Sequence, residues 1–253
     1  MTDTSLPGRF AESDFRVGRV LNRTTAVLSR NFLTFFVVTA VAHLPSLLLT
    51  RNSFAIEDAS GEAIVQSLVL LLVGVVLMIV LSTLSQAVVL YGAFQDMRGR
   101  RVNLTESLQI GLRRFFPIIG LALLVSILGM LSAILLIFPA LMLFTRWFVG
   151  TPACVVEQLG PLRSMGRSAE LTKGHRWKVF GLLAALTVLG LIGSGVVTSS
   201  FAAIGGQVLA AIGELVWNGI WGAFYAIAVV VTYHDLRVAK EGIDIDQIAS
   251  VFD

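Results

Sequence analysis

A single cysteine, three histidines and few charges set the first limits on this 253-residue chain. Cys154 alone excludes an intramolecular disulfide, and with it a small stapled secreted scaffold. Charged residues make up only 14%, against about 25% in soluble domains. Apolar residues reach 56% and the mean hydropathy is +0.84. One globular core cannot hide that excess, which excludes a soluble enzyme and a disordered chain. There is no GxxxxGK[ST] phosphate loop, no GxSxG elbow and no HExxH zinc motif. His43, His175 and His234 are isolated, and no carboxylate pair or metal-ligand cluster stands out. No catalytic residue, metal or cofactor is therefore expected. A sequence pI near 9.4 would fit nucleic-acid binding, but the basic residues alternate with long uncharged stretches, so no nucleic-acid partner is expected.

What is present is a series of apolar runs. A bilayer core of about 30 Å needs about 20 apolar helical residues. The runs predict an all-α polytopic membrane protein with six crossings, near 32–50, 65–93, 116–137, 140–156, 179–200 and 208–233. Phe138-Pro139 breaks the third crossing from the fourth, and Gly205-Gly206 breaks the fifth from the sixth. Residues 1–14 are expected to form a flexible cytoplasmic N-terminus, 15–237 the membrane domain and 238–253 a cytoplasmic tail. The opening MTDTSLPGRFAESDF lacks the basic and short apolar regions of a signal peptide, so the first crossing is expected to be retained.

Lysine and arginine give an orientation. In the six-crossing scheme seventeen of the nineteen fall on one side. The other side has only Arg51, set against Glu57, Asp58 and Glu62. Both termini are thus expected in the cytoplasm.

Before crossings 1, 3 and 5 stands an amphipathic basic stretch that ends at a basic–aromatic junction: Arg30-Asn31-Phe32, Arg113-Arg114-Phe115-Phe116 and Arg176-Trp177-Lys178. These predict short interfacial helices, including one over 104–113 and one over 162–172, with basic faces toward anionic lipid. In the third stretch Leu162, Met165 and Ala169 are expected inward, with Arg163, Arg167 and Glu170 outward. Asn103 and Glu106 have the spacing of a helix cap. Arg113, Arg114, Arg163, Arg167, Arg176 and Lys178 form the expected headgroup belt. A lone acid closes each even-numbered crossing, Asp96, Glu157 and Asp235, and each is expected to bind nearby arginines. The whole unit reads three times along the chain. Arg146 and Glu214 are the charges inside crossings. Each lies six residues in from the outer end of its crossing, so they are expected at equal depth and paired.

Two segments carry a resemblance. VVEQLGPLRSMGRSAELTKGHRWKVFG (155–181) and YHDLRVAKEGIDID (233–246) resemble the central and C-terminal motifs of a bacterial membrane family. That family is the membrane domain attached to some glycerophosphodiester phosphodiesterases, together with its stand-alone relatives. IFPALMLFTRWFVGTPACVVE (137–157) resembles its turn and fourth helix, with Ala140 where the family often has glycine. The resemblance implies a six-helix integral membrane protein with cytoplasmic termini. It does not imply diesterase activity, which belongs to a separate soluble domain. The resulting expectation is a non-enzymatic multi-pass protein of the bacterial inner membrane that acts through lipid or protein contacts. The alternative is a small transporter or channel using Arg146 and Glu214.

Overall fold

The computed structural model describes residues 15–53, 61–135 and 137–241. Every element among them is a helix: α1 (Val17–Arg30), α2 (Phe32–Ser53), α3 (Gly61–Met97), α4 (Leu104–Leu135), α5 (Ile137–Trp147), α6 (Gly150–Val156), α7 (Pro161–Thr172) and α8 (Arg176–Glu241). Three are long and apolar enough to cross a membrane: α3, α4 over Leu104–Ser132, and α8. The count is four if α1 and α2, bent by 91° at Asn31, are taken as one span. The expected outer loop with Glu57 and Asp58, the first fourteen residues and the tail from 242 lie outside the described residues.

The length of α8 conceals a reversal. A straight helix of 66 residues would run about 99 Å. Instead Gly205 (φ −144°, ψ 25°) and Gly206 (φ 67°, ψ −160°) leave helical geometry, and Gly206 occupies a region open essentially to glycine alone. The two limbs, 176–204 and 207–241, then pack antiparallel. Trp217 and Trp221 stack with centroids 5.5 Å apart and rest against Gly193 and Gly190 of the opposite limb. A Cβ on Gly193 would come within 2.0 Å of Trp217, and one on Gly190 within 2.5 Å of Trp221. Glycine at these two positions is what lets the indoles seat.

The remaining helices gather around this hairpin. α2 lies between α3 and α8, α1 packs across α8, and α5 touches α4, α7 and α8. Burial is uneven along the helices. The fully buried side chains cluster where α1, the C-terminal end of α3, α6, α7 and the free ends of α8 meet: Val20, Leu90, Val149, Leu171, Leu182, Tyr233 and Leu236. Toward the other end the described surface is mostly hydrocarbon, with Leu72 66%, Met130 70%, Leu191 69% and Val208 75% exposed.

Two expected helices differ from the sequence reading, and a proline is at issue in each. The stretch 104–113 is not a separate helix, because α4 runs on through Pro117 to Leu135. A membrane helix can absorb one missing N–H without breaking. The crossing expected over 140–156 is broken at Phe148 and Val149, between α5 and α6. There Pro152 cannot bond the carbonyl of Phe148, and the chain turns. At its far end α8 extends eight residues past the expected end of the crossing at 233, to Glu241.

Gly193→Leu is expected to lower stability by about 1–3 kcal/mol, because the added side chain displaces Trp217. Gly195, with open space around it, should accept leucine with little effect. Thermal unfolding of the two detergent-solubilised variants checks the difference, and equal losses would contradict the packing.

Candidate functional site

At the packed end of the bundle, polar groups from distant parts of the chain close into a ring. Glu157 follows α6 as its C-cap. Arg167 of α7 donates from Nε to both of its carboxylate oxygens, at 2.9 and 3.0 Å. Tyr233 of α8, 1% exposed, donates its hydroxyl to the same carboxylate at 2.6 Å. Arg167 also donates to Glu241. Arg237 completes the circuit, 2.8 Å from Glu241 and 3.5 Å from the Tyr233 hydroxyl. Two arginines and two glutamates make the ring neutral. Tyr233, Arg237 and Glu241 recur every four residues, so they form one stripe on α8.

Burial works against the charge on Arg167, but its bonds to Glu157 and Glu241 outweigh that and hold its pKa above the usual arginine value. Glu241 lies beyond the apolar run that ends at Tyr233. Burial would raise its pKa, yet the bonds from Arg237 and Arg167 bring it below the usual glutamate value.

The other two acids are held in the same manner. Asp96 ends α3, accepts from Arg30 and Asn31 at 2.5 and 2.8 Å, and so fastens the α1–α2 bend. Asp235 is 6% exposed and accepts from Arg23 of α1 at 2.7 Å. Next to Asp96, Gln95 and Tyr91 both donate to Glu106, each at 2.8 Å. The Asn103 side chain accepts the Glu106 N–H at 3.2 Å, so the cap forms, while the Glu106 carboxylate is drawn to α3.

The expected headgroup belt divides into two groups. Arg113, Arg163 and Lys178 are exposed. Arg114 turns inward and donates to the backbone carbonyl and side-chain oxygen of Gln158, at 3.0 and 2.6 Å. It thereby secures the left-handed backbone of Gln158 (φ 56°) at the turn into α7. Arg167 is likewise committed to the ring and is not a surface cation. On α7 the expected faces exchange one residue each: Arg167 is drawn in by the two glutamates, and Leu162 is 72% exposed.

The expected pairing of Arg146 with Glu214 is corrected. Both side chains are exposed, and neither forms an ion pair among the described residues. Arg146 is in the last turn of α5, near the packed end, where its carbonyl accepts from Ser168 and Thr172 of α7 at 2.9 and 3.3 Å. The neighbouring Phe148 ring meets Tyr225, with centroids 6.3 Å apart. Tyr225 stands eleven residues beyond Glu214, roughly 16 Å along the second limb of α8. His43 bonds its own helix, through Nδ1 to the Thr39 carbonyl at 2.8 Å. No group of three or more metal-ligating side chains occurs among the described residues.

Tyr91, Gln95, Arg23 and Glu241 were not singled out from sequence. The four-residue spacing of Tyr233, Arg237 and Glu241 was the available signal. The ring's geometry suits a lock between helices, since every charged group is directed at another protein group. Comparisons with family models, with curated proteins and with solved structures return no match.

Glu157→Gln is expected to cost about 1–3 kcal/mol, because it leaves a partly buried arginine short of charge. Tyr233→Phe should add little once Glu157 is changed, since both act through one carboxylate. Unfolding of the two single variants and the double variant tests this, and full additivity would contradict the ring.

Acid should loosen the same ring. Glu241 titrates lower folded than unfolded, so its stabilisation is fully present above the usual glutamate range. It is lost as pH falls through the lowered value. Thermal unfolding across that range should show the loss in the wild type and a smaller one in Glu241→Gln; identical pH profiles would contradict it.

Proposed function

We propose that the chain is a six-crossing, non-enzymatic integral protein of a bacterial inner membrane that works through lipid or protein contacts at its cytoplasmic face. The observation that carries this reading is the coincidence of three things at one end of the bundle: the packed core, the ion-pair ring and the exposed cations Arg113, Arg163 and Lys178. Toward the opposite end the exposed surface of the described residues is mostly hydrocarbon. That division matches a protein whose outer half is solvated by lipid tails and whose inner end meets headgroups and water.

Six crossings follow if α2, α3 and α4 each cross once, α5 and α6 form one broken crossing, and the two limbs of α8 cross once each. α1 and α7 then lie along the inner boundary. α1 buries Val20, Thr24, Val27 and Leu28 and exposes Arg16, Arg23 and Arg30, as a helix in the headgroup plane requires. Kinship with the membrane domain of glycerophosphodiester phosphodiesterases belongs to the same proposal and is supported by the motifs over 155–181 and 233–246. The residues of those motifs that meet in space, Glu157, Arg167, Tyr233 and Arg237, hold helices together. A transport reading drew on Arg146 and Glu214, and their separation removes its support.

Labelling tests the topology. Asp58→Cys is expected to react with an impermeant maleimide only from outside intact cells, and Lys240→Cys only after the inner face is opened. Reaction of both from the same side would overturn the six-crossing arrangement.

A further inference from the structure

A groove of about 540 Å³ opens between α4, α5 and the two limbs of α8. Phe144, Trp147, Phe148, Phe180, Tyr225 and Val125 form most of its wall. Its volume falls in the range of small-ligand sites, about 300–1,000 Å³. Hydrocarbon lines it almost throughout, and the Thr187 hydroxyl at its edge is spent on the Leu183 carbonyl at 2.9 Å. Such a wall accepts an alkyl chain and offers nothing to a free ion.

The cytoplasmic mouth is different. Arg176 precedes Phe180 by four residues, so it stands on the same face of α8, roughly 6 Å nearer the inner boundary. It is partly buried, and its Nε is fully buried with no hydrogen-bond partner. Among the described residues it forms no ion pair. A guanidinium half withdrawn from water without a counter-ion is costly. Arg176 is also the first residue of α8, whose opening amides have no intrahelical acceptors and carry the positive end of the helix dipole. Trp177, 66% exposed, flanks it. Unsatisfied donors therefore lie at headgroup level, directly above a hydrocarbon groove.

We infer that this is a binding site for one anionic phospholipid of the cytoplasmic leaflet, with its phosphate on Arg176 and the first-turn amides of α8, and one acyl chain in the groove beside Trp147 and Phe180. The inference rests on the inner-face orientation proposed above. Arg176 differs from Arg114 and Arg167, which have protein acceptors, and from the exposed Arg113 and Arg163 in that its Nε is buried.

The probe is quenching of tryptophan fluorescence by phosphatidylglycerol or phosphatidylcholine with brominated chains, using the full-length protein in lipid nanodiscs. The difference between the wild type and Trp147→Phe isolates the groove's signal. Brominated phosphatidylglycerol is expected to quench that signal at a roughly fivefold lower mole fraction than phosphatidylcholine, the effect of one interfacial cation. Arg176→Gln should abolish the preference and Arg176→Lys should keep most of it. Ala184→Phe, which fills the groove, should weaken quenching by both lipids. A preference that survives Arg176→Gln, or quenching unchanged by Ala184→Phe, would overturn the site and leave the belt reading standing. Displacement of the lipid by excess inorganic phosphate would overturn it in favour of a free-phosphate site. Equal quenching by both lipids in the wild type would defeat the belt reading as well.

Discussion

Arg167 is the group on which the packed end of this bundle depends. It is held 2.9 Å from Glu157 at the end of α6 and also meets Glu241 at the end of α8. A planar guanidinium can bind carboxylates from two directions at once, which a lysine cannot do as well. With one side chain the chain fixes a short helix, an α7 that lies across the bundle end, and the exit of its longest hairpin. The arrangement is affordable because Arg237 and Tyr233 supply the remaining donors, so neither glutamate is left with an unmatched charge.

The break between α5 and α6 makes that geometry reachable. Seven residues, Gly150–Val156, re-aim the chain after Phe148 so that Glu157 meets α7 instead of projecting into the aqueous phase. Five of the seven are buried. Asp96 and Asp235 then tie α1 to the ends of α3 and α8 by the same chemistry. Among the described residues the opposite half has no such polar closure. It is held by the Trp217–Trp221 stack against Gly193 and Gly190 and by hydrocarbon contact. In a bilayer that difference is physically sensible. Lipid tails replace side-chain packing at little cost, whereas polar groups at the interface need partners.

The elements legible in the sequence were those set by local chemistry. The chain changes direction at Gly205-Gly206 because Gly206 needs a backbone that other residues avoid. The break expected at Phe138-Pro139 is not seen there, since both residues lie within α5 (Ile137–Trp147). Asp96 and Glu157 stand where helices end, whereas Asp235 lies inside α8. What was not legible depended on tertiary context. Pro117 and Pro152 carry the same local signal, yet one sits inside a continuous helix and the other follows a break. The depth assigned to Arg146 assumed that Ala140 opens a crossing at the same level as Val208, whereas the end of α5 is bonded to α7 through the Arg146 carbonyl. Leu162 and Arg167 exchanged faces because two carboxylates, one of them 74 residues from Arg167, outweigh an amphipathic pattern. No periodicity within α7 carries that information.

The most direct measurement compares thermal unfolding of Arg167→Met with that of Leu72→Ala and Leu191→Ala in the purified full-length protein. If the arginine lock governs the fold, Arg167→Met lowers the unfolding temperature by several degrees, with about 2–4 °C expected per kcal/mol at this size. The two alanine variants, at exposed positions in the opposite half, should stay close to the wild type. An Arg167→Met protein that melts with the wild type, or outer alanine variants that melt first, would contradict the account.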